Sequence, residues 1–178
     1  MAERPEAPVP RNLIGKTWRR VDGRSKVTGQ TRYADDLSFP RMVTMRLHRS
    51  TVPHARIAGI DLDAASRMPG VLGFLTGEDM PKTFGILPMS RDENALALGK
   101  VRFVGDPVVA VAALSEEQAD AAARAVVVHY EPLQTISSVE DALANPEPRI
   151  HDYGSGGNLH RKKSMVFGDL DAGFAEAD

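Results

Sequence analysis

The side chains here that could do chemistry are five histidines, a few neighbouring acids, scattered serines and one glycine cluster. His48, His54, His129, His151 and His160 fall at no helical ligand spacing, and no His-Glu-x-x-His arrangement joins any two of them. The pattern that lets imidazoles on one helix face hold zinc is therefore missing. His54, in Pro53-His54-Ala55-Arg56, and His151, in Ile150-His151-Asp152, sit at strand or loop edges and read as hydrogen-bonding structural residues. Ser25, Ser50, Ser90 and Ser155 lack the Gly-x-Ser-x-Gly elbow of a hydrolase nucleophile. Of the paired acids, Asp35-Asp36 and Asp61 with Asp63 flank turns, while Glu116-Glu117 occupies the first turn of a helix, where the dipole favours negative charge. Gly154-Ser155-Gly156-Gly157 precedes an expected strand, so the helix N-terminal amides that make a phosphate cradle are not supplied. With no cysteine, the chain has no disulfide, thiol nucleophile or cysteine-held iron-sulfur cluster of its own. No residue is assigned a catalytic, cofactor-binding or metal-binding role.

The elements that position these residues follow from periodicity and capping. Residues 11–40 read as loops and turns around a short strand. Met42 to Arg49 alternates Val43, Met45 and Leu47 with Thr44, Arg46 and His48, the period of a half-buried strand, and a second strand follows at Ala55 to Asp61. Asp63 is placed to cap one helical turn before Pro69-Gly70, and Val71 to Leu75 resumes extended structure. Thr76 with Asp79 forms a capping-box turn that leads into a long irregular connection over residues 81–99. Val101 to Val104 and Pro107 to Ala113 read as two strands around Gly105-Asp106, the second apolar on both faces and hence central.

Ser115-Glu116-Glu117-Gln118 is a capping box that opens an Ala-rich helix, and Val126 to Glu131 reads as the next strand, stopped by Pro132. A short helix capped by Ser138 ends before Pro146 and Pro148. A strand is expected from His160 to Phe167, and a helix capped by Asp169 follows, with Leu170, Phe174 and Ala177 on one face. That face has no cover within the chain, and no glycine, basic last turn or proline closes the helix. The expectation is a helix that frays unless packed, in the front part of a larger polypeptide or one piece of an assembly. Together the elements make an α+β fold, a mixed sheet with a few short helices.

Composition narrows the partners. The 178 residues carry 42% apolar and 26% charged side chains, ordinary for a globular chain, and a net charge of -2 provides no global field for nucleic acid or anionic membrane. The proline-rich start contains no apolar run, and the longest apolar stretch, Pro107 to Leu114, is only strand length, so a cytoplasmic protein is expected.

Five ordered blocks point further. They are Arg20-Val21-Asp22-Gly23 with Lys26-Val27-Thr28-Gly29 and Tyr33-Ala34-Asp35-Asp36; Arg49-Ser50-x-x-Pro53-His54-Ala55-Arg56-Ile57; Pro69-Gly70-Val71 with Leu75-Thr76-Gly77-Glu78-Asp79; Lys100-Val101-Arg102-Phe103-Val104-Gly105-Asp106-Pro107-Val108; and Val128-x-Tyr130-Glu131-Pro132-Leu133. The series resembles the start of a molybdopterin-binding large subunit of the xanthine dehydrogenase and aldehyde oxidase family. Phe84-Gly85-Ile86-Leu87-Pro88 and Asn94-Ala95-Leu96-Ala97 are most similar to the 4-hydroxybenzoyl-CoA reductase branch.

The resemblance implies an α/β hammerhead domain over residues 13–160, after a flexible lead-in at 1–12 and before a segment, 161–178, that leads into molybdenum-cofactor domains. It implies an oxidoreductase that works at molybdenum, with [2Fe-2S] clusters and FAD on other domains or subunits. In such an enzyme the pterin contacts and the catalytic base lie downstream of a segment like this one. The part implied for this chain is structural: packing against the cofactor domains and the iron-sulfur partner, with residues 81–99 lining an approach to the buried site. The alternative is a stand-alone interaction or assembly module that keeps the same fold.

Overall fold

The computed structural model describes residues 15–86, 90–152 and 156–177. The chain divides into residues 1–42 and residues 43–178.

In the first unit a short helix, α1 (Gly23–Val27), is followed by a 3-10 turn at Ala34–Asp36. The strand expected within 11–40 does not form among the described residues. The amides of Gln30 and Thr31 both donate to the Ser25 carbonyl, at 2.8 and 3.1 Å, which folds the backbone on itself and leaves no free edge. Asp22 takes Lys26 at 2.6 Å and Arg20 at 3.2 Å. These two cations, Lys26 first, hold its carboxyl below the usual carboxylate range.

The second unit is α+β. It contains β1 (Thr44–Arg49), β2 (Ala55–Asp61), α2 (Asp63–Ser66), β3 (Val71–Leu75), β4 (Lys100–Val101), β5 (Pro107–Ala113), α3 (Glu116–Ala125), β6 (Val127–Pro132), α4 (Val139–Ala144) and α5 (Leu170–Ala175). The single mixed sheet expected from the sequence resolves into two three-stranded sheets, ordered β1-β5-β3 and β4-β2-β6, in which every pairing is antiparallel. The central strand β5 runs Thr44↔Ala113 to His48↔Val109 against β1, and Val71↔Ala113 to Leu75↔Ala110 against β3. In the other sheet β2 is central, with Ala55 opposite both Val101 and Pro132. Pro132 thus ends the ladder from inside the strand.

The core is built from small side chains. Val108, Val109 and Val111 of β5 are fully buried, as are Val101, Ala55 and Ala65, and α3 lays Ala119, Ala122 and Ala123 against them. Alanine at i, i+3 and i+4 lets that helix approach the sheet closely. The Ser115 hydroxyl accepts from the Gln118 amide at 3.3 Å, one half of the expected capping box; the other half is not made, because the buried Gln118 Oε1 has no partner. At the far end His48 on β1 donates Nδ1–H to the Ala123 carbonyl at 2.9 Å, which satisfies one of the acceptors that a helix leaves open at its C-terminus.

That contact explains a correction on β1. The alternation placed Val43, Met45 and Leu47 inward, yet Val43 and Met45 are about half exposed. Arg46, paired with Glu116, and His48 face α3 instead, so the helix covers the polar-looking side of the strand and leaves the apolar side open.

Other expectations also shift. Extended structure at 101–104 shrinks to the two residues of β4, because the Arg102 amide turns to the Asp106 carboxylate at 3.0 Å and Gly105 takes φ 94. β4 and β5 accordingly lie in different sheets. Asp63 sits inside α2 rather than capping it; the Asp61 carboxylate accepts its amide at 2.8 Å. Residues 160–167 are exposed and form no strand. Ser138 and Asp169 cap α4 and α5 as expected, at 3.0 Å each.

Candidate functional site

Two features of the second unit stand apart from ordinary packing. The first is a trough on the open face of the β1-β5-β3 sheet. Small residues of the central strand, Ala110 and Ala112, are flanked by Val43 and Met45 on one side and Leu72 and Leu75 on the other, around a volume of about 390 Å³. Met45 is 54% exposed and Leu72 55%. Several large apolar side chains along one sheet face are more than the scattered exposure usual on a protein surface.

The second is the connection over residues 81–99. Phe84 and Glu93 pair as an antiparallel bridge, with Phe84 N–H to Glu93 C=O at 2.9 Å and Glu93 N–H to Phe84 C=O at 3.1 Å. The bridge joins the two described arms of the long connection. At its base, a cleft of about 340 Å³ is bordered by Phe84, Asp92, Asn94, Arg102, Asp106 and His151. The turn before the loop is fixed by Asp79, whose carboxylate accepts from the Thr76 amide at 2.7 Å and hydroxyl at 2.9 Å. These bonds, the amide first, hold Asp79 below the usual carboxylate range. Gly77 is required in this turn, because a Cβ there would stand 2.5 Å from the Ala97 carbonyl oxygen. Leu87, the last apolar residue singled out in the loop, lies outside the described residues.

Asp106 is the buried acid of the cleft, 8% exposed. Burial pushes its carboxyl up, against the Arg102 amide and the charges of Arg102 and His151, which pull it down. Its folded value therefore lies above the unfolded one. The folded chain holds more protons between the two values, so this group's contribution to stability falls as pH rises through that window. Asp152 behaves oppositely: partial burial raises it, but the Lys100 bond and charge, then Arg102 and Arg149, win and the net shift is downward. Its contribution is complete above the ordinary value and is lost as pH falls through the folded one. Replacing Asp106 by Asn should remove the downward slope of stability that begins at the ordinary carboxylate range and runs upward from it, as read from urea midpoints, and leave the acid-side loss due to Asp152.

The residues that could do chemistry are engaged elsewhere. His54 is 4% exposed and donates Nδ1–H to the Gln134 carbonyl at 2.9 Å, while its own carbonyl accepts from Leu133 at 2.9 Å. His151 contacts Asp92 at 2.6 Å, and His129 and His160 are exposed. Ser25 hydrogen-bonds within the α1 turn, to the Asp22 carbonyl at 3.0 Å. Ser50 is buried; its backbone exchanges 2.8 Å bonds with Asp106 and Gly105, and Arg49 reaches the Gly105 carbonyl at 2.9 Å. The Arg49-Ser50 and Gly105-Asp106 blocks are thus two halves of one joint between β1 and the turn before β5. Asp36 and Asp61 accept backbone amides, and Glu116 pairs with Arg46. Ser155 and Gly154 lie outside the described residues.

Among the described residues no three His, Cys, Asp or Glu side chains could hold a metal ion together, and no helix is long and apolar enough to cross a membrane. Spacing gave no sign of Asn158. Its Nδ2 donates to the Asn145 and Pro148 carbonyls at 2.8 and 3.2 Å, and its Oδ1 accepts from the Ile150 amide at 2.8 Å.

Comparison with known proteins gives three kinds of match. Residues 28–134 match the family described as aldehyde oxidase and xanthine dehydrogenase, a/b hammerhead domain. The chain is 38% identical over 168 residues to the nicotinate dehydrogenase large molybdopterin subunit of Eubacterium barkeri, covering 93% of this chain and 38% of that one. It is 33% identical over 177 residues to the xanthine dehydrogenase/oxidase of Rattus norvegicus, covering 99% and 12% respectively. Among solved structures, the aldehyde oxidoreductase from Desulfovibrio desulfuricans superposes with a TM-score of 0.69 at 31% identity, over 79% of this chain and 17% of that one. The chain thus spans well under half the length of the relatives it matches.

Proposed function

The chain belongs to the aldehyde oxidase and xanthine dehydrogenase family through its a/b hammerhead domain, and from that premise we propose that it is a structural domain of a molybdenum-dependent oxidoreductase. It contributes no catalytic, cofactor-binding or metal-binding residue of its own. The hammerhead covers residues 13–160, and residues 161–178 lead towards the cofactor-bearing part. Molybdopterin is held by other domains or subunits; [2Fe-2S] clusters and FAD, on further ones, relay the electrons. Within the family the branch proposed is that of 4-hydroxybenzoyl-CoA reductase, on the strength of Phe84-Gly85-Ile86-Leu87-Pro88 and Asn94-Ala95-Leu96-Ala97.

The observation that carries this reading is the fate of the motif residues. Arg49, Ser50, Asp79, Gly105 and Asp106, which belong to the blocks shared with the family, make their hydrogen bonds to the scaffold itself, and so does Nδ1 of His54, whose buried Nε2 has no partner. An apolar trough lies open on the β1-β5-β3 sheet, which suits a domain that is packed upon by other parts. The loop over 81–99 is proposed to line an approach to the active centre, with Phe84 half exposed and Ile86 almost fully so.

Native mass measurement of the complex drawn from its own cells through this chain tests the reading. A mass well above that of the chain, with molybdopterin-binding polypeptide accounting for the excess, is expected; a lone chain would favour the free-standing assembly module. For the loop, Phe84→Ala with Ile86→Ala in the complete enzyme should lower kcat/KM by about tenfold with assembly unchanged. Unaltered kinetics would remove the loop from the approach.

A further inference from the structure

The short segment over residues 149–152 has no sheet partner, yet side chains from two other parts of the fold hold it. Lys100, whose side chain is 12% exposed, donates Nζ–H to the Arg149 carbonyl at 2.8 Å and to the Asp152 carboxylate at 2.9 Å. Arg102, 15% exposed, donates Nε–H to the Ile150 carbonyl at 3.0 Å and lies 3.8 Å from Asp152. Two largely dehydrated cations thus find acceptors on Arg149, Ile150 and Asp152. A cation withdrawn from water is costly unless hydrogen-bonded acceptors replace the solvent, so the segment is held where those acceptors are needed. Its other side is fixed by Asn158, which accepts the Ile150 amide.

Between the two residues that face the cations stands His151, and its Nδ1 lies 2.6 Å from the Asp92 carboxylate. Asp92 neighbours Glu93, one half of the bridge with Phe84 that gives the 81–99 connection its shape. The chain of contacts therefore runs from the end of β4, through residues 149–152, to the loop.

We propose that residues 149–152 are a strap that sets the position of the Phe84–Glu93 bridge by tying Asp92, through His151, to the largely buried cations Lys100 and Arg102. The functional weight of the strap rests on the reading in which the 81–99 loop lines the approach to the active centre.

Hydrogen exchange of the 178-residue chain tests it at the Phe84 and Glu93 amides, which close the bridge. Lys100→Met should speed exchange at both by about tenfold, the size expected when bonds to a charged group are lost, while the Val109 and Val111 amides of β5 keep their protection. Asp92→Asn cuts the loop end of the link without touching the strap's cations, and should speed the same two amides by a similar factor with the Ile150 amide unchanged. Because both substitutions break one linkage, the double variant should exchange no faster than either single one. Unchanged Phe84 and Glu93 exchange in Lys100→Met, or accelerations that multiply in the double variant, would overturn the strap. If Lys100→Met loses β5 protection, Asp92→Asn decides alone, and unaltered exchange in it would overturn the proposal. The exchange readout is independent of turnover, so failure of the strap is separable from failure of the loop's assigned place in the enzyme.

Discussion

Val109→Asp leaves the chain unfolded under conditions where the parent is folded. Val109 is fully buried on the central strand β5, opposite His48 of β1, and β5 is flanked by β1 and β3 in its sheet with α3 packed against it. An aspartate there is withdrawn from water into a core of valine and alanine side chains, so it must be buried either charged or protonated and unpartnered. The cost is about 4 kcal/mol or more, a large part of the roughly 5–15 kcal/mol that holds a typical domain. Circular dichroism melts show the loss directly. The matched control is Val127→Asp at the start of the edge strand β6, where the side chain is half exposed and the change should stay within about 0.5 kcal/mol. A melting temperature for Val109→Asp close to that of the control would mean that β5 is not the core strand.

Leu72→Asp gives the reverse pattern. Leu72 is 55% exposed on the trough face, so the isolated chain should lose about 0.5 kcal/mol or less. In the proposed enzyme the same face is covered, and a carboxylate placed against an apolar partner weakens the contact by about 2 kcal/mol, roughly thirtyfold. The recovery of cofactor-loaded enzyme should fall accordingly, although the variant chain melts like the parent. Equal recovery of loaded enzyme from parent and variant would show that the trough faces solvent in the whole protein.

The parts of the fold that local chemistry dictates were legible in the residues. The bounds of β2 and β5, the Ser115 cap of α3 and the Ser138 and Asp169 caps all followed from alternation, continuous apolar runs and side-chain oxygens three residues before an amide. What was not legible depended on neighbours. Alternation along β1 identifies two faces but not which one a helix will cover, and here α3 takes the Arg46 and His48 side. The run Val101 to Val104 has strand composition, but the buried Asp106 carboxylate claims the Arg102 amide and stops the ladder after Val101. Residues 160–167 also have strand composition, yet a strand exists only where another edge accepts its bonds, and none does among the described residues.

The candidate site divides in the same way. His54 and His151 are hydrogen-bonding residues, as their places at strand and loop edges suggest, each engaged through Nδ1, and of the acids flanking turns Asp36 and Asp61 accept backbone amides while Asp63 pairs with Arg67. The strap over 149–152 and the role of Asn158 were invisible, because they join segments about 50 residues apart or close a loop through one amide side chain.

The central claim is that this polypeptide provides framework and contact surface while the molybdenum centre is held outside it. The most direct test is the molybdenum and pterin content of the 178-residue chain purified alone from cells that make the cofactor. The account predicts neither above background; stoichiometric molybdopterin in a preparation free of any other protein would contradict it.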